Sequence, residues 1–97
     1  KSKKKQNKKT LINNFSTTKY ALQISAWPSL EDARKHQLKL IENGFDAYTQ
    51  RYYWQIKDEL WYRVRVGNFS NKNEAIKIKK QLESLMGIKV WMDIVSK

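Results

Sequence analysis

The chain has 97 residues, 40% apolar and 12% aromatic, with a formal net charge of +11 and no cysteine. That size supports one modest core and hence one domain. The lack of cysteine excludes a disulfide framework and a thiolate metal site, and no apolar run of about 18 residues or more reads as a membrane-spanning helix.

Charge is unevenly spread. Lys1, Lys3, Lys4, Lys5, Lys8, Lys9 and Lys19 carry +7 with no acid among them, whereas residues 20–97 hold 13 basic and 9 acidic side chains. Lysines mixed with Gln, Asn, Ser and Thr bury too little apolar surface to offset their ordering entropy, so residues 1–19 read as a basic, flexible linker and 20–97 as the domain. Leu11, Ile12 and Phe15 are the linker positions able to dock on it. The linker has no apolar stretch of the kind a signal peptide needs, so any export signal or membrane anchor is expected upstream.

The domain opens on an alternating segment, Tyr20-Ala-Leu-Gln-Ile-Ser-Ala-Trp27, predicted as a strand over 20–26. Ser29 then stands three residues before Asp32, a helix N-terminal signature, and Leu30, Ala33, Leu40 and Ile41 lie on one helical stripe that ends at Gly44. A second strand is expected over 45–54, and a hairpin around Lys57-Asp58-Glu59 leads to a third over 60–67. The third strand repeats the first, because Tyr62-Arg-Val-Arg-Val-Gly-Asn-Phe69 lies over residues 20–27 at an offset of 42. Asn71 and Glu74 reproduce the helix start, Ala75, Ile78, Leu82 and Leu85 the stripe, and Gly87 the stop before a strand over 88–95. Each half is strand, helix, strand. Two such halves predict an α+β, ferredoxin-like βαββαβ domain, a four-stranded antiparallel sheet with two helices on one face.

Alternation assigns the faces. Leu22, Ile24, Val64 and Val66 turn toward the helices with Ala47 and Val90, leaving Gln23, Trp61, Arg63 and Arg65 on the open face beside Tyr48 and Trp91. Trp27 and Phe69 occupy matching strand ends and are expected to pack on the core. A purely structural reading makes Trp61 a hairpin cap and Arg63 the ion-pair partner of Asp93 or Glu59. Aromatics and arginines gathered on one exposed sheet exceed what folding requires, however, and have the composition of a binding hot spot. The parity of Tyr52, Tyr53 and Trp54 stays open between hairpin packing and an extension of that surface.

Catalysis finds little to use. His36 is the single histidine and falls mid-helix, where a solvated position is expected. Glu31 and Asp32 suit a helix start, Asp58 and Glu59 a turn, and no acid and base pair for glycan hydrolysis emerges. No phosphate loop, metal site or cofactor site is expected, and the domain reads as a non-enzyme.

The run Tyr20-Ala-Leu-Gln23-Ile-Ser-Ala-Trp27, with Gly44-Phe-Asp-Ala-Tyr48 and Trp61-Tyr-Arg-Val-Arg-Val-Gly-Asn-Phe69, resembles the SPOR (sporulation-related repeat) family, whose motif W-Y-R-V-x-V-G-P-F the last segment nearly matches. The resemblance implies a domain that binds bacterial peptidoglycan, on glycan strands stripped of stem peptides, and places it in the periplasm or cell envelope at division sites. It implies glycan contacts at Gln23, Trp61 and Arg63 and near Trp91 or Met92, and with Ser25, Tyr48 and Arg65 these form the expected site. The expected partners are glycan strands, with no nucleic acid, membrane contact only through an upstream anchor, and a monomeric state. Ala26 replaces a family serine, and Asn68 the family proline in a turn that tolerates it. The rival reading is an RNA-recognition module, which also shows aromatics on an open sheet, but no strand carries Lys/Arg-Gly-Phe/Tyr-Gly/Ala-Phe-Val-x-Phe/Tyr.

Overall fold

The structure, a computed structural model, describes residues 18–95. The linker reading of the lysine-rich segment, including Leu11, Ile12 and Phe15, therefore lies outside the described residues. The described chain runs β1 (Lys19–Trp27), α1 (Leu30–Glu42), β2 (Ala47–Trp54), β3 (Glu59–Phe69), α2 (Lys72–Met86) and β4 (Trp91–Val95). The strands form one antiparallel sheet in the order β2-β3-β1-β4, the ferredoxin-like arrangement expected from the repeat.

Local chemistry sets the boundaries. Ser29 caps α1 by accepting from the Asp32 amide, and Asn71 caps α2 by accepting from the Glu74 amide at 3.1 Å. Each satisfies an amide that the first helical turn leaves without a partner. Gly87 ends α2 in the left-handed conformation (φ 66°), where a Cβ would be strained. Two helices then cover one side of the sheet. Leu22, Ile24, Ala33, Leu40, Ala47, Val64, Val66, Leu82 and Val90 make one buried cluster, with Trp27, Phe45, Tyr62, Phe69, Ile78, Met86 and Met92 packed around it.

The predicted stripes hold at Ala33 and Leu40 and at Ala75 and Leu82, all fully buried, but not at their ends. Ile41 and Leu85, each in the last turn of its helix, are exposed. His36 is not solvated as expected. It is half-buried, and its Nδ1 shares a 2.7 Å hydrogen bond with the Ser25 hydroxyl, while its ring meets Trp27 edge to face. Burial, and then the charge of Lys39, hold its pKa below the ordinary value of 6.5.

Between Gln23 and Ser25 the pairing of β1 with β3 slips by one residue, and a second slip separates Tyr20 from Leu22. Each is a β-bulge, which reverses the side on which later residues point. The second bulge uses Gly67 in β3, at φ +77°, with the Phe69 ring folded over it where a Cβ would stand.

Candidate functional site

The face of the sheet that the helices leave open is organised in transverse rows. Tyr48 pairs with Arg65, Arg65 with Gln23, and Gln23 with Trp91, so four of the expected residues form one line across all four strands. The next row is Gln50, Arg63 and Ala26, and beyond it Tyr52 stands opposite Trp61 on the β2–β3 hairpin. Among the described residues, a shallow cleft of about 250 Å³ runs over this second group, lined by Gln23, Ala26, Tyr52, Trp54, Trp61 and Arg63.

Its walls are held by ring contacts. The Arg63 guanidinium lies 3.7 Å above the Tyr52 ring, in stacking range, and Trp54 meets Trp61 edge to face with centroids 6.1 Å apart. Trp61 Nε1 donates to the Glu59 carboxylate at 3.0 Å, which fixes the indole against the hairpin, and Lys57 lies 5.1 Å above Trp54. Arg63 therefore makes neither of the ion pairs with Asp93 or Glu59 that a purely structural reading assigned to it. It is positioned by an aromatic ring and keeps its charge available.

Arg65 takes that structural role instead. It is only 5% exposed, and its two terminal nitrogens donate to Gln50 on β2 and to Asp93 on β4. One side chain from an inner strand thus ties both edge strands across the small Ala21. Its Nε is buried with no partner among the described residues. The sequence alone put Arg65 beside Arg63 as an exposed cation. The register agrees, but Asp93 and Gln50 draw the guanidinium down onto the sheet.

Ser25 is the site residue that the structure moves away. The bulge after Gln23 turns it to the helix side, where its hydroxyl accepts from Trp27 Nε1 at 2.8 Å and bonds His36. The same bulge brings Ala26 to the open face. Strict alternation counted from Gln23 cannot foresee this. Tyr48 and Trp91 sit at opposite ends of the central row. The Tyr48 hydroxyl donates to the Gly67 carbonyl at 3.4 Å, and Trp91 is 59% exposed with Lys89 at 4.7 Å over its ring.

Tyr52 and Trp54 were legible only as an aromatic cluster. The missing signal is the turn: Asp58 at φ 53° closes Gln55–Asp58, pairing Trp54 with Glu59 and so fixing Tyr52 and Trp54 on the open side and Tyr53 on the other. Tyr53 instead donates to Asp58, a bond that raises its pKa. Among the described residues no group of three His, Cys, Asp or Glu side chains is placed to hold a metal ion.

Fold and face together define a ferredoxin-like domain that presents an aromatic, cationic sheet surface with a bulged first strand. The chain belongs to the SPOR domain family, whose model matches residues 16–92. A similar solved structure is the solution structure of the peptidoglycan-binding domain of the B. subtilis cell wall lytic enzyme CwlC, at 25% identity and a TM-score of 0.68, covering 92% of this chain and 99% of that one. No curated protein sequence matches at a significant level.

Proposed function

We propose that this domain binds bacterial peptidoglycan without catalysis, laying a glycan strand across the open face of the sheet, and that it favours strands from which stem peptides have been removed. The observation that carries the reading is the cleft in which Gln23, Ala26, Tyr52, Trp54, Trp61 and Arg63 converge. The C–H faces of sugar rings lie well on indole and phenol rings, while hydroxyl and N-acetyl groups need donors and acceptors beside them, which Gln23 and Arg63 supply. Membership of the SPOR family and the likeness to the CwlC domain support the ligand class.

Preference for bare strands has two physical sources here. A strand must lie flat to reach both the hairpin aromatics and the central row, and attached peptides obstruct that approach. Removing a peptide at its amide to muramic acid also leaves a carboxylate on the sugar, for which Arg63 is the available cation. Such binding directs a parent protein to the cell envelope and to division sites.

The test is sedimentation with amidase-treated sacculi, with circular dichroism to confirm folding. Trp61→Ala and Arg63→Ala should each weaken binding by about 2 kcal/mol or more, as expected for central anchors, and Gln23→Ala should cost less. Trp61 should matter equally at high salt, since stacking is poorly screened. Folded variants that pellet like wild type would sink the reading, and tight, salt-sensitive binding to single-stranded RNA would favour the nucleic-acid rival.

A further inference from the structure

A second concavity, of about 540 Å³, lies where α1 overhangs the outer edge of β2. On the helix, Leu30, Arg34 and Gln37 stand at i, i+4 and i+7, one stripe facing the strand; on β2, Thr49 and Arg51 alternate on the helix side. The wall is preorganised. Gln37 Nε2 donates to the Ala47 carbonyl at 3.3 Å, and the Thr49 hydroxyl donates to Gln37 Oε1 at 2.7 Å.

The charge of this cavity is unbalanced. The ion pairs among the described residues are Arg65–Asp93 and Lys79–Glu83, so neither Arg34 nor Arg51 is held by a carboxylate. Two exposed guanidiniums on one concave surface repel each other and raise a focused positive potential, and the fold gains nothing from placing them together. Guanidinium geometry matches a carboxylate in two-point contact, and Leu30 and Tyr62 add apolar wall for small methyl groups.

Tyr48 joins this cavity to the open face. It ends the central row with Arg65, Gln23 and Trp91, and it also borders the cavity. A ligand that follows the row toward β2 leaves the sheet over Tyr48 and carries its next substituent toward Arg34 and Arg51.

We propose that this cavity binds a short, carboxylate-bearing peptide, the stem peptide on a muramic acid that flanks the bare stretch of glycan. The inference rests on the glycan-binding reading above. Under it the domain recognises a boundary, with bare sugar on the sheet and a peptide-bearing sugar at the β2 edge.

Calorimetry with two oligosaccharides tests it, one bare and one identical but for a stem peptide on its terminal muramic acid. The peptide should tighten wild-type binding about fivefold at low salt, the effect expected of a modest exposed charge pair, with the gain fading at high salt. The double variant Arg34→Gln/Arg51→Gln should lose the gain yet bind the bare oligosaccharide as wild type does. Where the bare oligosaccharide binds, a peptide that adds nothing in wild type, or a gain that survives in the double variant, overturns the proposal. Free stem peptide followed by amide NMR separates the two readings: shifts at Gln37 and Thr49, without shifts at Gln23 or Trp61, support the cavity even if neither oligosaccharide binds, an outcome that would refute the glycan reading alone. No shifts at Gln37 and Thr49 refute the cavity.

Discussion

The two halves of the repeat share a core and differ on the surface. Ala33 and Leu40 of the first half match Ala75 and Leu82 of the second, and all four are fully buried. On the open face the same equivalence sets Gln23 against Arg65, Ala21 against Arg63, and Lys19 against Trp61. Past Lys19 at its start, the inner strand β1 therefore contributes small or neutral side chains, while β3 contributes an indole and two guanidiniums. That asymmetry makes a site: Arg65 crosses the sheet because Ala21 leaves room beneath it, and the cleft reaches β1 because Ala26 is short. Repetition explains the fold, and departures from it explain the candidate function.

The largest expected effect tests the symmetric part. Leu40→Ala and Leu82→Ala should each cost about 2–5 kcal/mol, and similar amounts, because both empty equivalent, fully buried positions. Urea midpoints measure this, and a large disparity would mean that one helix carries the core alone.

The bulges come next. Gly67 and Ser25 occupy the same place in the repeat, yet Gly67→Ala should cost about 1–3 kcal/mol, since its positive φ and the overlying Phe69 ring both oppose a Cβ. Ser25→Ala should cost about 1 kcal/mol, the loss of hydrogen bonds to Trp27 and His36. Equal melting temperatures for the two variants would show the bulges to be energetically alike.

Those bulges also mark where sequence and structure part. Element order, core leucines, the central row and the inward turn of Val90 all follow from periods of two and about 3.6, and the comparisons bear out the family resemblance and the fold. A one-residue slip is invisible to a period, and it moved Ser25 to the helices and Ala26 to the sheet face. Burial of Arg65 was hidden for another reason. Its partners lie on β2 and β4, 15 and 28 residues away, so they meet only once the strand order is known. His36 is a similar case, reached by Ser25 only because of the bulge.

Arg65 and Gln23 offer a finer test. Asp93 is 48% exposed and can rehydrate, so Arg65→Ala should cost about 1–2 kcal/mol rather than the penalty of a fully buried broken pair. Gln23→Ala should be near neutral for stability while still weakening glycan binding. If Arg65→Ala unfolds no more readily than Gln23→Ala, the strap across the sheet contributes nothing.

The smallest effect concerns His36, which the second half of the repeat does not reproduce, since Ile78 stands in its place. With the imidazole neutral and its proton on Nε2, the Ser25 hydroxyl accepts from Trp27 Nε1 and donates to Nδ1. Protonation makes Nδ1 a donor, so the hydroxyl must turn its own hydrogen away; burial disfavours the charged ring, and Lys39 opposes the new charge. The folded pKa accordingly lies below the ordinary 6.5, and the unfolded chain holds the proton more tightly. The stability His36 contributes is thus complete above pH 6.5 and is lost as pH falls from there through the folded pKa. Glu83 behaves in the same sense at more acidic pH: its carboxylate accepts from the Val90 amide and from Lys79, which lowers its pKa and makes its contribution fade as acid protonates it. The two windows separate by substitution. Melting temperatures of His36→Gln should lack the decline that wild type shows just below pH 6.5, a difference of a few degrees at most, while keeping the steeper acid limb. A wild-type curve that runs parallel to the variant's through that window would mean that the Ser25–His36 bond does not sense protonation at all.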